Sequence, residues 1–217
     1  MTCTETTFLH DVQEHQLTII RDDGVSRHIR LKQPGTMCMH FDLITWPGYL
    51  CYTGDMGTYV FRRLNDMFQF FRTDANKAWL KSKGLTLGVN LSYWGEKLEA
   101  LDRGDGYKAW SEEKFKSRLR EVFDQWAADE LVPSEIEAAW KTVDSDVIDE
   151  MNNGGKETAY RAAMDCEING KHPFRDFYEI DTEDYSHRFV WCCYALAWGI
   201  SKYDAAKIAT ATEGVAA

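Results

Sequence analysis

From Phe41 to Arg63 the chain reads FDLITWPGYLCYTGDMGTYVFRR. The run alternates, turns at Pro47-Gly48, alternates again, and turns at Gly54-Asp55-Met56-Gly57 before a last alternating segment that ends in two arginines. Pro-Gly pre-sets a tight turn, and a side-chain period of two is the mark of a half-covered strand. Three antiparallel strands are therefore predicted, from Met37 to Trp46, Tyr49 to Thr53 and Thr58 to Arg63. In the first of them Met37, Met39, Phe41 and Leu43 share one face, and Cys38, His40, Asp42, Ile44 and Trp46 share the other. Pairing Trp46 with Tyr49 across Pro47-Gly48 sets Cys51 opposite Ile44.

Upstream, LTIIRDDGVSRHIRLKQ flanks Asp22-Asp23-Gly24 with two more alternating runs, a hairpin signal. A three-residue loop that pairs Arg21 with Val25 collects Leu17, Ile19, Val25, Ile29 and Leu31 on one face, with Gly24 left-handed; a two-residue loop mixes Leu17 and Ile19 with His28 and Arg30. The first register is expected. Downstream, LNDMFQFFR changes to helical spacing and is expected to fold over the sheet. Past residue 75 the pattern is helical. Ser111 caps a helix with Phe115, Leu119, Val122 and Trp126 as its stripe. Ser134 and Glu137 stand in capping-box spacing before the stripe Ile136, Trp140, Val143 and Val147, and Asn152 to Gly155 ends that helix. The segment from Phe189 to Ile200 is apolar on every side, as in a helix buried among the other helices. The expected fold is α+β. A five-stranded N-terminal antiparallel meander packed with helices occupies residues 1–75, an acidic helical part occupies 76–217, and the two form one continuous domain.

With 217 residues, 44% hydrophobic and 13% aromatic, the chain can bury a core of its own. No stretch approaches the roughly 20 apolar residues that span a bilayer, and the first residues offer neither a basic n-region nor an apolar h-region, so a cytoplasmic protein is expected. The six cysteines lack framework spacing and read as reduced thiols. The formal charge of −10 is uneven: residues 1–90 carry 10 Lys/Arg against 9 Asp/Glu, whereas 91–217 carry 15 against 26. That balance disfavours nucleic acid as a ligand of the second half and favours a basic partner or plain solubility.

Candidate sites fall into three groups. Arg27, His28, Arg30 and Lys32 give the hairpin a basic character that suits phosphate contacts or a solvated strand face. His40 with Asp42 or Asp55 has the elements of a general-base pair, the basis of an alternative reading as a metal-dependent nuclease or other hydrolase. Cys38 and Cys51 lie about 20 Å apart along the strand pair, too far for one tetrahedral ion, so no metal and no cofactor is expected. The chain has no G-x-S-x-G, P-loop, H-E-x-x-H or paired C-x-x-C motif. The third group is interaction-like: outward acids at Glu135, Asp144, Asp146, Asp149, Glu150, Asp181, Glu183 and Asp184, the aromatic corner of Trp46 and Tyr49, and the arginines Arg62, Arg63 and Arg72.

The segment LTIIRDDGVSRHIRLKQPG followed by FDLITWPGYLCYTGDMGTYVFRR resembles a family of proteins encoded by tailed phages and prophages, over residues 17–72 and in general organisation beyond them. The resemblance implies a phage accessory protein acting in the bacterial host cytoplasm, and it carries over no catalytic residue. Small acidic phage proteins of this kind are often inhibitors of host defence, such as anti-CRISPR or anti-restriction proteins. The functional expectation is a non-enzymatic protein that binds a host protein or nucleoprotein complex.

Overall fold

A computed structural model describes residues 3–72, 77–102 and 106–215. Its elements run α1 (Glu5–Asp11), β1 (Gln16–Asp23), β2 (Ser26–Lys32), β3 (Phe41–Trp46), β4 (Tyr49–Gly54), β5 (Gly57–Arg62), α2 (Met67–Phe71), α3 (Lys77–Ser82), α4 (Leu91–Gly95), β6 (Leu98–Leu101) and β7 (Lys108–Trp110). They continue through α5 (Glu112–Glu130), α6 (Pro133–Val143), a π-helical turn at Asp144–Ile148, α7 (Asp149–Asp165), a 3-10 turn at Phe177–Glu179, β8 (Glu183–Tyr185) and α8 (His187–Val215). The fold is α+β. The chain divides into two compact units, Met1–Lys108 with Tyr185–Ala217, and Ala109–Asp184. The expected boundary between residues 75 and 76 lies outside the described residues; the division falls instead at 108/109 and 184/185.

The first unit is built on a sheet whose order, β1-β2-β3-β4-β5-β6, follows the chain, with every neighbour antiparallel. The central registers are those the turn chemistry requires, with Trp46 opposite Tyr49, Ile44 opposite Cys51 and Gly54 opposite Gly57. The first hairpin departs from expectation. Its loop is two residues, Gly24-Val25, closed by Asp23 opposite Ser26, and Arg21 pairs with His28 rather than Val25. Such a loop alone would set Leu17 and Ile19 out of phase with Ile29 and Leu31. A bulge between Ile19 and Arg21 inserts one residue and restores the phase, so Leu17 meets Leu31 and Ile19 meets Ile29. The extra residue, Ile20, is left 48% exposed.

Strand β3 begins at Phe41, not Met37. The preceding residues turn instead: Met39 has φ 56°, its N–H donates to Asp55 Oδ2 at 2.6 Å, and Cys38 stands exposed off the strand. The sheet also has a sixth strand. In β6 the sequence LEAL shows no alternation, and its place is set by pairing with Tyr59–Phe61 of β5.

The cover of this sheet is α8. Its 29 residues hold the apolar run from Phe189 to Ile200, which joins Ile29, Leu31, Phe41, Leu43, Tyr52 and Phe61 in one core. That corrects the expectation of a helix buried in the helical half. Apolarity on all sides calls for complete burial but does not name the partner, and here one side meets the sheet while α1, α2 and α4 also pack against the helix. At Gly199 helix and sheet come closest: a Cβ there would lie 3.1 Å from Leu43, 3.2 Å from Phe41 and 3.3 Å from Leu31.

A buried arginine stands at this core's margin. Arg27, 8% exposed, sends Nη1 and Nη2 to Asp66 at 2.8 and 3.0 Å, and its guanidinium lies over the rings of Phe68 and Tyr203. Asp66 also caps α2 by accepting the Phe68 N–H, while Tyr203 and Lys207 of α8 donate to Asp22 of β1.

The second unit holds its own core. Ser111 caps α5 through the Lys114 N–H, and Phe115, Leu119, Phe123 and Ala127 form the buried stripe; Val122 and Trp126 flank it, half-buried. In α6, Pro133 takes the first helical position and Glu135 accepts the Val132 N–H, so Ser134 sits inside the helix rather than capping it. Val143, Val147 and Met151 carry the core contact through the π-helical turn. Gly155, at φ 71°, breaks α7 where the sequence ends a helix.

Three outcomes are expected for the first unit. Burial pushes the Asp66 carboxyl up, but the hydrogen bonds and charge of Arg27 outweigh it and hold that carboxyl below the ordinary aspartate range. A depressed carboxylate contributes stability that is whole above its unfolded pKa of about 3.9 and is lost as pH falls through the folded value. Asp66→Asn should therefore be less stable near neutrality and lose less stability than the wild type on acidification, in urea unfolding at a series of pH values. Asp66→Ala, which strands a buried guanidinium, should cost roughly 3–5 kcal/mol near neutral pH. Gly199→Leu should cost about 1–3 kcal/mol by overpacking the closest approach of α8 to the sheet, again read by urea unfolding.

Candidate functional site

Three of the four basic hairpin residues are committed within the fold. Asp42, 5% exposed, takes Arg30 Nε at 2.8 Å and Nη2 at 2.8 Å, and shares a 2.7 Å hydrogen bond with His28 Nε2. Burial alone would raise the Asp42 carboxyl, but the bonds from Arg30 and His28 outweigh it and lower its pKa. Arg27 is spent on Asp66. Lys32, half-buried at the end of β2, has no carboxylate partner among the described residues.

His40 and Asp42 do not form a pair. His40 Nδ1 lies 2.7 Å from the Met37 carbonyl and 3.1 Å from Asp55, whose carboxylate also holds the Met39 N–H, so imidazole and carboxylate fasten the turn ahead of β3. Among the described residues no group of three His, Cys, Asp or Glu is arranged to hold a metal ion. Cys192 and Cys193 are fully buried, and burial pushes both thiols well up. The Cys166 thiol rises to about 11, through burial and the nearby charge of Asp146.

Two groups of expected residues do come together, one in each unit. On the outer face of the sheet, Trp46, Tyr49 and Arg62 are successive cross-strand neighbours on β3, β4 and β5. The Trp46 and Tyr49 rings stack at 5.2 Å and 14°, and the Arg62 guanidinium lies 5.2 Å from the Tyr49 centroid. The backbone beneath is fastened at three points: Gly48 N–H to Asn65 O, Arg63 N–H to Gly48 O, and Arg62 N–H to Lys97 O. Trp46 remains 40% exposed. Arg72 does not belong to this corner; it makes a bidentate pair with Asp204 of α8.

In the second unit Asp144, Asp146, Asp149 and Glu150 are all exposed, and none forms an ion pair among the described residues. They stand on the π-helical turn and the start of α7, while Val147 between them is buried. Other acids have internal duties: Glu135 holds the α6 start, Asp181 takes Lys114 at 2.9 Å, and Glu183 lies 3.8 Å from Lys156. A concavity of about 320 Å³ opens beside Asp146 and Glu150, with Asp165 and Arg161 on its wall. Asp165 and Arg161 escaped the sequence reading because they follow the Gly155 break, beyond the segment whose periodicity is clear. The unit as a whole carries 20 Asp/Glu against 9 Lys/Arg, a net −11, whereas the sheet unit carries 15 against 16, a net +1.

Comparison of the chain with protein-family models, with curated proteins and with solved structures gives no match.

The thiols supply a direct check on this geometry. In the native protein a thiol reagent should modify the exposed Cys38 first, while Cys192 and Cys193 stay protected until denaturant unfolds the sheet unit. Peptide mapping of a labelling time course reads the order, and early labelling of Cys192 would contradict the packing of α8.

Proposed function

We propose that this chain is a phage-encoded, non-enzymatic binding protein that acts in the bacterial cytoplasm by occupying a basic surface of a host protein or nucleoprotein complex. The class of target suggested by analogy with other small acidic phage proteins is a bacterial defence assembly, with the chain acting as an anti-CRISPR or anti-restriction inhibitor. The observation that carries the reading is the confinement of the net charge: Ala109–Asp184 holds −11, and its Asp144, Asp146, Asp149 and Glu150 are exposed with no ion pair among the described residues.

The spacing of those acids supports a groove that ordinarily holds nucleic acid. Six residues of helix rise roughly 9 Å, so four carboxylates fall about one per 2–3 Å. That density lies between the phosphates of a duplex, one per roughly 1.7 Å, and those of a single strand, one per roughly 3.4 Å. Unpaired surface carboxylates cost the free protein little, and they accelerate encounter with a positive partner.

The test has two parts. Bacteria carrying an active restriction or CRISPR system should become permissive to a targeted phage when they express the chain. The captured partner should leave the immobilised protein as salt is raised. The triple variant Asp146→Lys, Asp149→Lys, Glu150→Lys should lose both effects with an unchanged melting temperature. Full protection of the phage by that variant would overturn the acidic-surface reading.

A further inference from the structure

The sheet unit carries a second surface of opposite character. Among the arginines borne by the six-stranded sheet, Arg21 pairs with Asp23, Arg27 with Asp66 and Arg30 with Asp42. Among the described residues the Arg62 guanidinium lies over the Tyr49 ring and meets no carboxylate, and Arg63, next along the chain, meets none either. Among the described residues, the sheet's guanidinium groups are thus neutralised except beside its exposed tryptophan. This happens in a unit whose acids and bases are nearly balanced, 15 Asp/Glu against 16 Lys/Arg.

We propose that Trp46, Tyr49, Arg62 and Arg63 form a docking site for an acidic peptide segment of another protein, one that places an apolar side chain against Trp46 and a carboxylate on the arginines. Three observations converge on this occupant. The aromatic pair is already ordered, by the stack with Tyr49 and by backbone bonds that pin the Pro47-Gly48 turn, so little conformational freedom remains to be lost on binding. The residue types are those that dominate interface energetics, an exposed Trp and a half-buried Tyr beside Arg. Finally, a guanidinium without an internal partner is suited to bidentate contact with a carboxylate.

Nucleic acid fits this corner less well. Affinity for a polyanion grows with each phosphate neutralised, and two uncompensated arginines neutralise few. Of the neighbouring basic residues on β2, His28 and Arg30 already serve Asp42.

This site is independent of the acidic surface in Ala109–Asp184, and either can fail without the other. The test is selection of a random displayed peptide library on the full chain, with the Trp46→Ala, Arg62→Glu, Arg63→Glu variant as counter-target. The expected winners contain Asp or Glu beside an aromatic or aliphatic residue and release at high salt. Synthetic copies should bind Trp46→Ala and Arg62→Glu roughly 30-fold more weakly, the loss typical of an interface hot spot. Trp46→Phe and Arg62→Lys should retain much of the affinity, and all variants should keep the wild-type melting temperature. The proposal is overturned if selection yields no peptide that depends on the corner, or yields basic ones. It is also overturned if a labelled oligothymidylate binds in a manner abolished by Arg62→Glu. A concentration-dependent dimer in sedimentation that Arg62→Glu dissolves would name a second copy as the occupant and overturn it equally.

Discussion

Arg27 is the point through which the sheet unit is tied together. Its backbone belongs to β2, its guanidinium holds the carboxylate that starts α2, and its flat face is shared between Phe68 of α2 and Tyr203 of α8. Through Tyr203 and Lys207 the same region reaches Asp22 of β1. A charge this deeply buried is tolerable only when paired and hydrogen-bonded. The clamp therefore specifies where both helices lie on the sheet as much as it stabilises them. Apolar burial by α8 provides the bulk of the core but is indifferent to small shifts; a fork of two N–H bonds to one carboxylate is not.

Legibility of the fold tracked how local the determining interaction is. Pro47-Gly48 and Gly54 to Gly57 fix their hairpins within four residues, and β3, β4 and β5 pair as their sequence implies. The bulge at Ile20 defeats the same logic, because two tendencies compete there. The loop prefers two residues, the apolar phase requires an odd offset, and one surplus residue reconciles them. Strand β6 has no periodicity of its own and exists because β5 presents an open edge. The assignment of α8 needed knowledge of what it packs against, which no window of sequence contains. The π-helical turn left no such mark, because Val143, Val147 and Met151, four residues apart, fit an ordinary α-helical stripe equally well.

The candidate surfaces show the same division. Trp46 and Tyr49 adjoin one turn, and their cross-strand neighbour Arg62 follows from strand order alone. The acidic group occupies seven consecutive positions, Asp144 to Glu150. By contrast, the fates of Arg27, His28 and Arg30 rest on partners 39, 14 and 12 residues away, and the alternating pattern that exposes a side chain says nothing of whether a carboxylate waits beside it. Basic residues on a strand were thus easy to see and hard to interpret. What separates a binding arginine from a structural one is whether the fold has already answered its charge.

The placement of Ala109–Asp184 between β7 and β8 has a temporal consequence. A ribosome completes all six strands of the sheet long before it delivers α8, and must first manufacture an entire interrupting unit. During that interval Phe41, Leu43, Tyr52 and Phe61 await their lid. The interrupting unit has a separate core and need not wait, so at that stage the nascent chain would hold one finished module and one unsealed one.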